Sequence, residues 1–201
     1  MTIDTDDILN SILASISRID YAKADDIPNI DLYMDQVTTF MDAQLKSSKR
    51  YEDDKILTKT MINNYAKNNL LPPPEKKKYS KEHVLVLIFI YYFKNILSIK
   101  DIETLLTPIT DKYFHSDADF NLTSIYEEVC QMEKNRIETL QDSIKDVYKE
   151  ASSSFKDADE EDRDFLQIFS FICTLSFDVY VKKQIIEKLV DSLPETDKKK
   201  K

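Results

Sequence analysis

Not one of the 201 residues is glycine. Glycine enters the positive-φ half of backbone space without the clash that a Cβ brings, so chains normally place it at tight turns and close backbone approaches. Its usual share is roughly 7%. Glycine-rich phosphate loops and dinucleotide fingerprints are therefore not expected, nor are two-residue type I′ hairpins, which need positive φ at both central positions. Helices joined through Asn, Asp, Ser and Pro manage without glycine. The expected fold class is all-α.

The formal charge is −9, yet it is unevenly spread. Residues 46–100 carry 12 Lys/Arg against 5 Asp/Glu, a net of +7, which leaves −16 for the rest. A basic island in an acidic chain points to an anionic partner. Cys130 and Cys173 stand alone, and with only His83 and His115 besides they offer no zinc-ligand spacing. No metal or cofactor is expected. The start of the chain is acidic (Asp4, Asp6, Asp7) and shows no basic-then-apolar leader, which suggests the cytoplasm.

Apolar residues at three- and four-residue steps predict the helices. The first covers 6–19, capped by Thr5 or Asp6, and a second runs from Asp31 to about Ser47 with Asp31 or Asn29 as cap. After a charged loop, Thr58 caps a helix to about Asn68, and Asn69 suits the left-handed position that ends it. Pro72, Pro73 and Pro74 then stop the chain from coiling further. Ser80 opens a capped helix whose run Val84–Phe93 is apolar on every side, as a buried central helix should be. Ser98 and Asp101 form a capping-box start to a short helix that Pro108 ends. One helix of about eight turns is expected from Asn121 to Glu150, then an acidic linker over 152–164. The apolar segment Phe165–Leu193 reads as a helix buried in a bundle or dimer. A transmembrane reading of 165–181 is disfavoured by Gln167 and Asp178.

Chemistry concentrates between Lys59 and Lys81. An Asn amide can bond N6 and N7 of adenine together, so outward-facing Asn63 and Asn64 suit base readout in a major groove. Lys59, Lys67, Lys76, Lys77, Lys78 and Lys81 suit phosphate contacts, which supply affinity without sequence choice.

Tyr65, Leu70, Leu71, Pro73, Tyr79, Ser80, Val84, Leu87, Ile90, Ser98, Ile99, Ile102 and Leu105 carry, in order, a pattern that resembles the DNA-binding domain of mercury-resistance (MerR) type regulators. In that family a recognition helix ending in an aromatic pair leads to a Gly-Leu-Leu-x-Pro turn, a basic wing and two further helices. Most of residues 27–110 also resemble an uncharacterised bacterial family of predicted DNA-binding proteins. The chain departs from the MerR pattern at Asn63 and Asn64, which with Tyr65 stand where the family has an Arg and two aromatics, and at Asn69, where it has the turn glycine. Its wing is cut to Pro74–Tyr79.

The resemblance implies a winged helix-turn-helix with a reduced wing, followed by a long helix and a C-terminal helical segment. It also implies double-stranded DNA as partner and a homodimer through 121–150, where relatives carry their dimer helix. The expected domains are 1–24, an N-terminal helix; 25–110, the helix-turn-helix; 111–193, dimerisation and C-terminal helices; and 194–201, a disordered basic tail. The aromatics Phe155, Phe165, Phe169, Phe171, Phe177 and Tyr180 read first as the core of that bundle and second as the lining for a small apolar effector. An enzyme is not expected, because no carboxylate pair lies in apolar sequence beside a nucleophile or His. The function expected is sequence-specific DNA binding by a dimeric transcriptional regulator. The alternative is a non-catalytic interaction module whose basic island docks an acidic protein.

Overall fold

A computed structural model describes residues 5–16 and 22–194. The expected end of the first helix at 17–19 and the basic tail beyond Pro194 lie outside those residues, and Thr5 and Asp6, expected as its cap, fall within the helix. Eight α-helices are described: α1 Thr5–Ile16, α2 Met34–Gln44, α3 Lys59–Lys67, α4 Lys81–Phe93, α5 Ile99–Tyr113, α6 Leu122–Lys134, α7 Ile137–Ser152 and α8 Glu160–Asp191. Two short strands, β1 Leu32–Tyr33 and β2 Lys78–Tyr79, pair antiparallel with Leu32 opposite Tyr79 and Tyr33 opposite Lys78. The protein is all-α with this one small sheet. The described residues divide into two compact units: 22–131 with 187–194, and 5–16 with 132–186.

In the first unit α4 is the central element, as its all-round hydrophobicity predicts. Val84 through Ile88 and Ile90 have no exposed surface. Side chains of this kind each contribute about 1.5–3 kcal/mol by leaving water. Around them lie Val37 and Met41 of α2, Ile62 of α3, Ile102 and Leu106 of α5, and Leu122 and Tyr126 of α6, all buried. The Tyr126 hydroxyl donates to the Ala22 carbonyl at 2.5 Å, so the buried phenol keeps a partner. Truncating Leu87 to Ala here would cost about 2–5 kcal/mol, because this packed surface cannot close on the gap.

Several expectations are corrected. The helix expected from Asp31 starts at Met34, because Leu32 and Tyr33 are taken up by the strand pair and Gln36 Oε1 accepts from the Tyr33 N–H at 2.8 Å. Pro108 does not end α5, which runs on to Tyr113. The proline is exposed, so the Thr104 carbonyl that loses its donor can be hydrated. The single helix expected from Asn121 to Glu150 is two, α6 and α7, broken at Asn135 and Arg136. There Arg136 N–H turns back to the Glu133 carbonyl at 3.0 Å, a tighter three-residue bond.

The second unit pairs α1 with α7 and α7 with α8. Leu9 and Leu13 are buried, and the Gln141 side chain donates to the Leu13 carbonyl at 3.0 Å. Gln167 of α8 donates to the carbonyls of Ser152 and Ser154 at 2.9 and 3.1 Å, satisfying the end of α7. The Tyr148 and Phe171 rings meet edge-on at 5.5 Å. Of the two expected covers for the C-terminal aromatics, a bundle within the chain is not found: Phe165, Phe169, Phe177 and Tyr180 are 65, 51, 65 and 56% exposed. Among the described residues these four therefore do not make a buried core within one chain. α8 is also long and apolar enough to cross a membrane by length and composition.

Candidate nucleic-acid interface

α3 is a nine-residue helix whose start and end are both locally encoded. The Thr58 hydroxyl accepts from Met61 N–H at 3.2 Å, which satisfies one of the four donors left open at a helix start. At its end Asn69 takes φ 57°, the left-handed position, and lets Leu70 N–H reach the Tyr65 carbonyl at 2.9 Å. Leu70 and Leu71 are buried, so the turn is held by apolar anchors as well. Ile62 and Tyr65 face inward. Burial raises the Tyr65 phenol above its ordinary pKa. Asn63, Asn64 and Lys67 stand exposed on the outer side.

The wing follows. Glu75 and Lys78 bridge through Lys78 N–H to the Glu75 carbonyl at 2.8 Å, and Lys76 and Lys77 between them take φ 48° and 66°. This is the two-residue, doubly positive-φ hairpin that a chain without glycine was not expected to make. Each left-handed lysine carries a penalty of about 1–2 kcal/mol. The β1–β2 pairing holds the hairpin's base, and the Lys78 ammonium lies 5.4 Å over the Tyr33 ring.

Both pieces pack on α2. Lys59 of α3 forms an ion pair with Asp35, two residues beyond Tyr33. The start of α2 therefore gathers Lys59 and Lys78 from two separate elements. Lys81 is half-buried in the first turn of α4, apart from the exposed set. Lys67, Lys76 and Lys77 point to solvent.

Two positioning residues lie outside the expected site residues. His83, in α4, is 1% exposed. Its Nδ1 accepts from the Ser80 N–H at 3.0 Å and lies 2.9 Å from the Ser80 hydroxyl. Its Nε2 faces the Pro73 carbonyl at 3.4 Å. Burial lowers its pKa, only partly offset by that carbonyl, and the charge of His115 lowers it further. The Ser80-x-x-His83 spacing of a capping box was the sequence signal, with His in place of the usual Glu or Gln. Lys94, one residue past α4, donates to the Ile56 carbonyl at 2.9 Å across the long turn between α2 and α3. It lies 4.6 Å over the Tyr91 ring, whose hydroxyl is 2.6 Å from that of Ser48 in the same turn. Desolvation lowers the Lys94 pKa. No signal local to Lys94 could have found this bond, because it spans 38 residues.

Among the described residues no group of three His, Cys, Asp or Glu could hold a metal. Residues 22–129 match the model of a protein family described as a domain of unknown function (DUF1836). Neither the curated proteins nor the solved structures contain a match.

Proposed function

The chain belongs to that family of the domain of unknown function DUF1836, matched over more than half its length, and from this premise we propose that it binds double-stranded DNA sequence-specifically, as a dimeric and non-catalytic transcriptional regulator of MerR-like kind working in the cytoplasm. The observation that carries the reading is the hairpin tip Lys76-Lys77. Asn-Gly would make the same turn without strain. Two lysines held in left-handed conformation point to use, since such strain gathers at functional sites. A narrow basic tip beside an exposed helix suits a phosphate backbone and its groove.

In this reading Asn63 and Asn64 contact base edges, while Lys67, Lys76, Lys77 and Lys78 contact phosphates. Lys59 joins them by exchanging Asp35 for a phosphate, at little cost because the pair is exposed. Lys81 is the weakest member, being half-buried. A dimer would address two half-sites about 34 Å apart or a multiple of that. The test is selection of bound sites from random duplex DNA, followed by a salt titration. An enriched, two-fold symmetric site and steep loss of affinity with salt are expected. An absence of duplex binding at low salt by folded protein would sink the reading in favour of docking to an acidic protein.

A further inference from the structure

The face that α8 turns to water is covered by no other element among the described residues. Phe165, Phe169, Ile172, Phe177, Val179 and Tyr180 are 51–65% exposed. At 3.6 residues per turn they fall within roughly 160° of arc over about four turns. None of the apolar 18-residue window of this helix is buried. Soluble monomers rarely leave so continuous an apolar surface open.

We propose that this face is covered by α8 of a second copy of the chain, running antiparallel. Area is the first reason. Large side chains each have about 200 Å² to bury, so six at this exposure offer roughly 700 Å² per copy. A standard stable interface takes about 800 Å² per partner, which the flanking polar rim would complete.

Charge is the second reason. α8 opens on Glu160, Glu161 and Asp162, and its apolar stretch is followed by Lys182 and Lys183. Antiparallel pairing lays the acidic start of each copy along the basic stretch of the other, and an isologous two-fold contact makes that match twice. With the axis near Cys173, Phe165 meets Tyr180 of the second copy and Phe169 meets Phe177.

A bilayer is a poorer cover, because it would surround the helix. The opposite side of α8 is already engaged: Gln167 caps the end of α7 and Phe171 meets Tyr148. A charged Asp178 in hydrocarbon would also be expensive. The pairing moves the dimer contact from the expected 121–150 to α8. It needs no DNA contact, so its failure and that of the DNA reading are separable.

The experiment is mass measurement of the full chain by light scattering in detergent-free buffer. The wild type should run at twice its 23.5 kDa. The Phe169→Glu/Phe177→Glu variant should run as a monomer with unchanged helical circular dichroism, since both side chains are exposed. For direction, Asp162→Cys and Lys183→Cys chains, each also carrying Cys130→Ser and Cys173→Ser, are oxidised alone and mixed. Cross-linking mainly in the mixture is expected. A monomeric wild type at tens of micromolar overturns the proposal, as does a dimer indifferent to the Phe substitutions. Efficient self-cross-linking of the Asp162→Cys chain overturns it too, as does flotation of the wild type with phosphatidylcholine vesicles.

Discussion

The Ser80 backbone N–H donates to His83 Nδ1 at 3.0 Å, and that single bond decides the tautomer of the imidazole. A backbone N–H can only donate, so Nδ1 is unprotonated and the ring proton sits on Nε2, facing the Pro73 carbonyl. One neutral side chain thus closes the first turn of α4 and ties it to the proline corner of the wing.

Protonating His83 would set a second N–H against the Ser80 donor, and stability should follow. Burial holds the folded pKa below the ordinary 6.5. The unfolded chain therefore takes up a proton that the folded chain refuses. Stability is fully present above pH 6.5 and falls as pH drops through 6.5 toward the folded pKa. The slope is at most about 1.4 kcal/mol per pH unit for one proton. His83→Gln, which keeps a capping-box acceptor, should remove this part of the slope. Thermal unfolding of both proteins between pH 7.5 and 5 checks it; equal slopes would refute the assignment.

Lys76→Asn/Lys77→Gly should separate stability from binding. Asn-Gly suits the doubly positive-φ turn, so relief of strain should raise stability by about 1–2 kcal/mol or more. If these lysines contact phosphates as proposed, the same change removes two such contacts and duplex affinity should fall alike for all sequences. The salt slope should shrink by about 2, near one per lost contact. A variant that is more stable and binds undiminished would detach the wing from DNA.

These two cases also mark what could be read in advance. Thr58, Asn69, Ser80 and Ser98 act within three or four residues of themselves, and the structure keeps each of them at a helix end. Val84–Ile90 was legible because burial on all sides leaves a composition that few other roles explain. The hairpin was not. Its base is a pairing between Leu32–Tyr33 and Lys78–Tyr79, and its tip runs against the preference of lysine. Long-range pairing overrode local propensity there. α8 was legible as apolar, but apolarity alone does not say whether its own chain covers it. The Lys94–Ile56 bond carries no sequence signal, and the roles of Asn63 and Asn64 rest on chemistry and exposure alone.

Asn63→Ala and Asn64→Ala should leave stability within about 0.5 kcal/mol, as both side chains are exposed. On the preferred site each should lose about 1–3 kcal/mol of discrimination at one base position, with non-specific affinity nearly kept. Competition binding against singly mutated sites reads this directly. Retained discrimination in both variants would remove them as base readers.

Lys94→Met tests how the long turn holds α3 in place. Lys94 keeps the Ile56 carbonyl satisfied just before Leu57 and the Thr58 cap, both close to where α3 begins. Methionine keeps an unbranched apolar chain but removes the ammonium over Tyr91 and leaves that carbonyl without its donor, the latter costing about 1–3 kcal/mol. Relief of burying the ammonium works the other way, since desolvation already depresses its pKa. The lost bond should win, because the group is only half-buried. A net loss of about 1 kcal/mol in urea unfolding is expected, with the slope unchanged. A turn freed at this point lets α3 shift against α2, so DNA discrimination should weaken more than non-specific affinity does. Tyr91→Phe supplies the comparison, because it removes only the hydroxyl that meets Ser48 at 2.6 Å. It should produce a smaller change in the same direction. If Lys94→Met were as stable as the wild type and equally selective, α3 would have to be positioned by Ile62, Tyr65 and the Lys59–Asp35 pair alone.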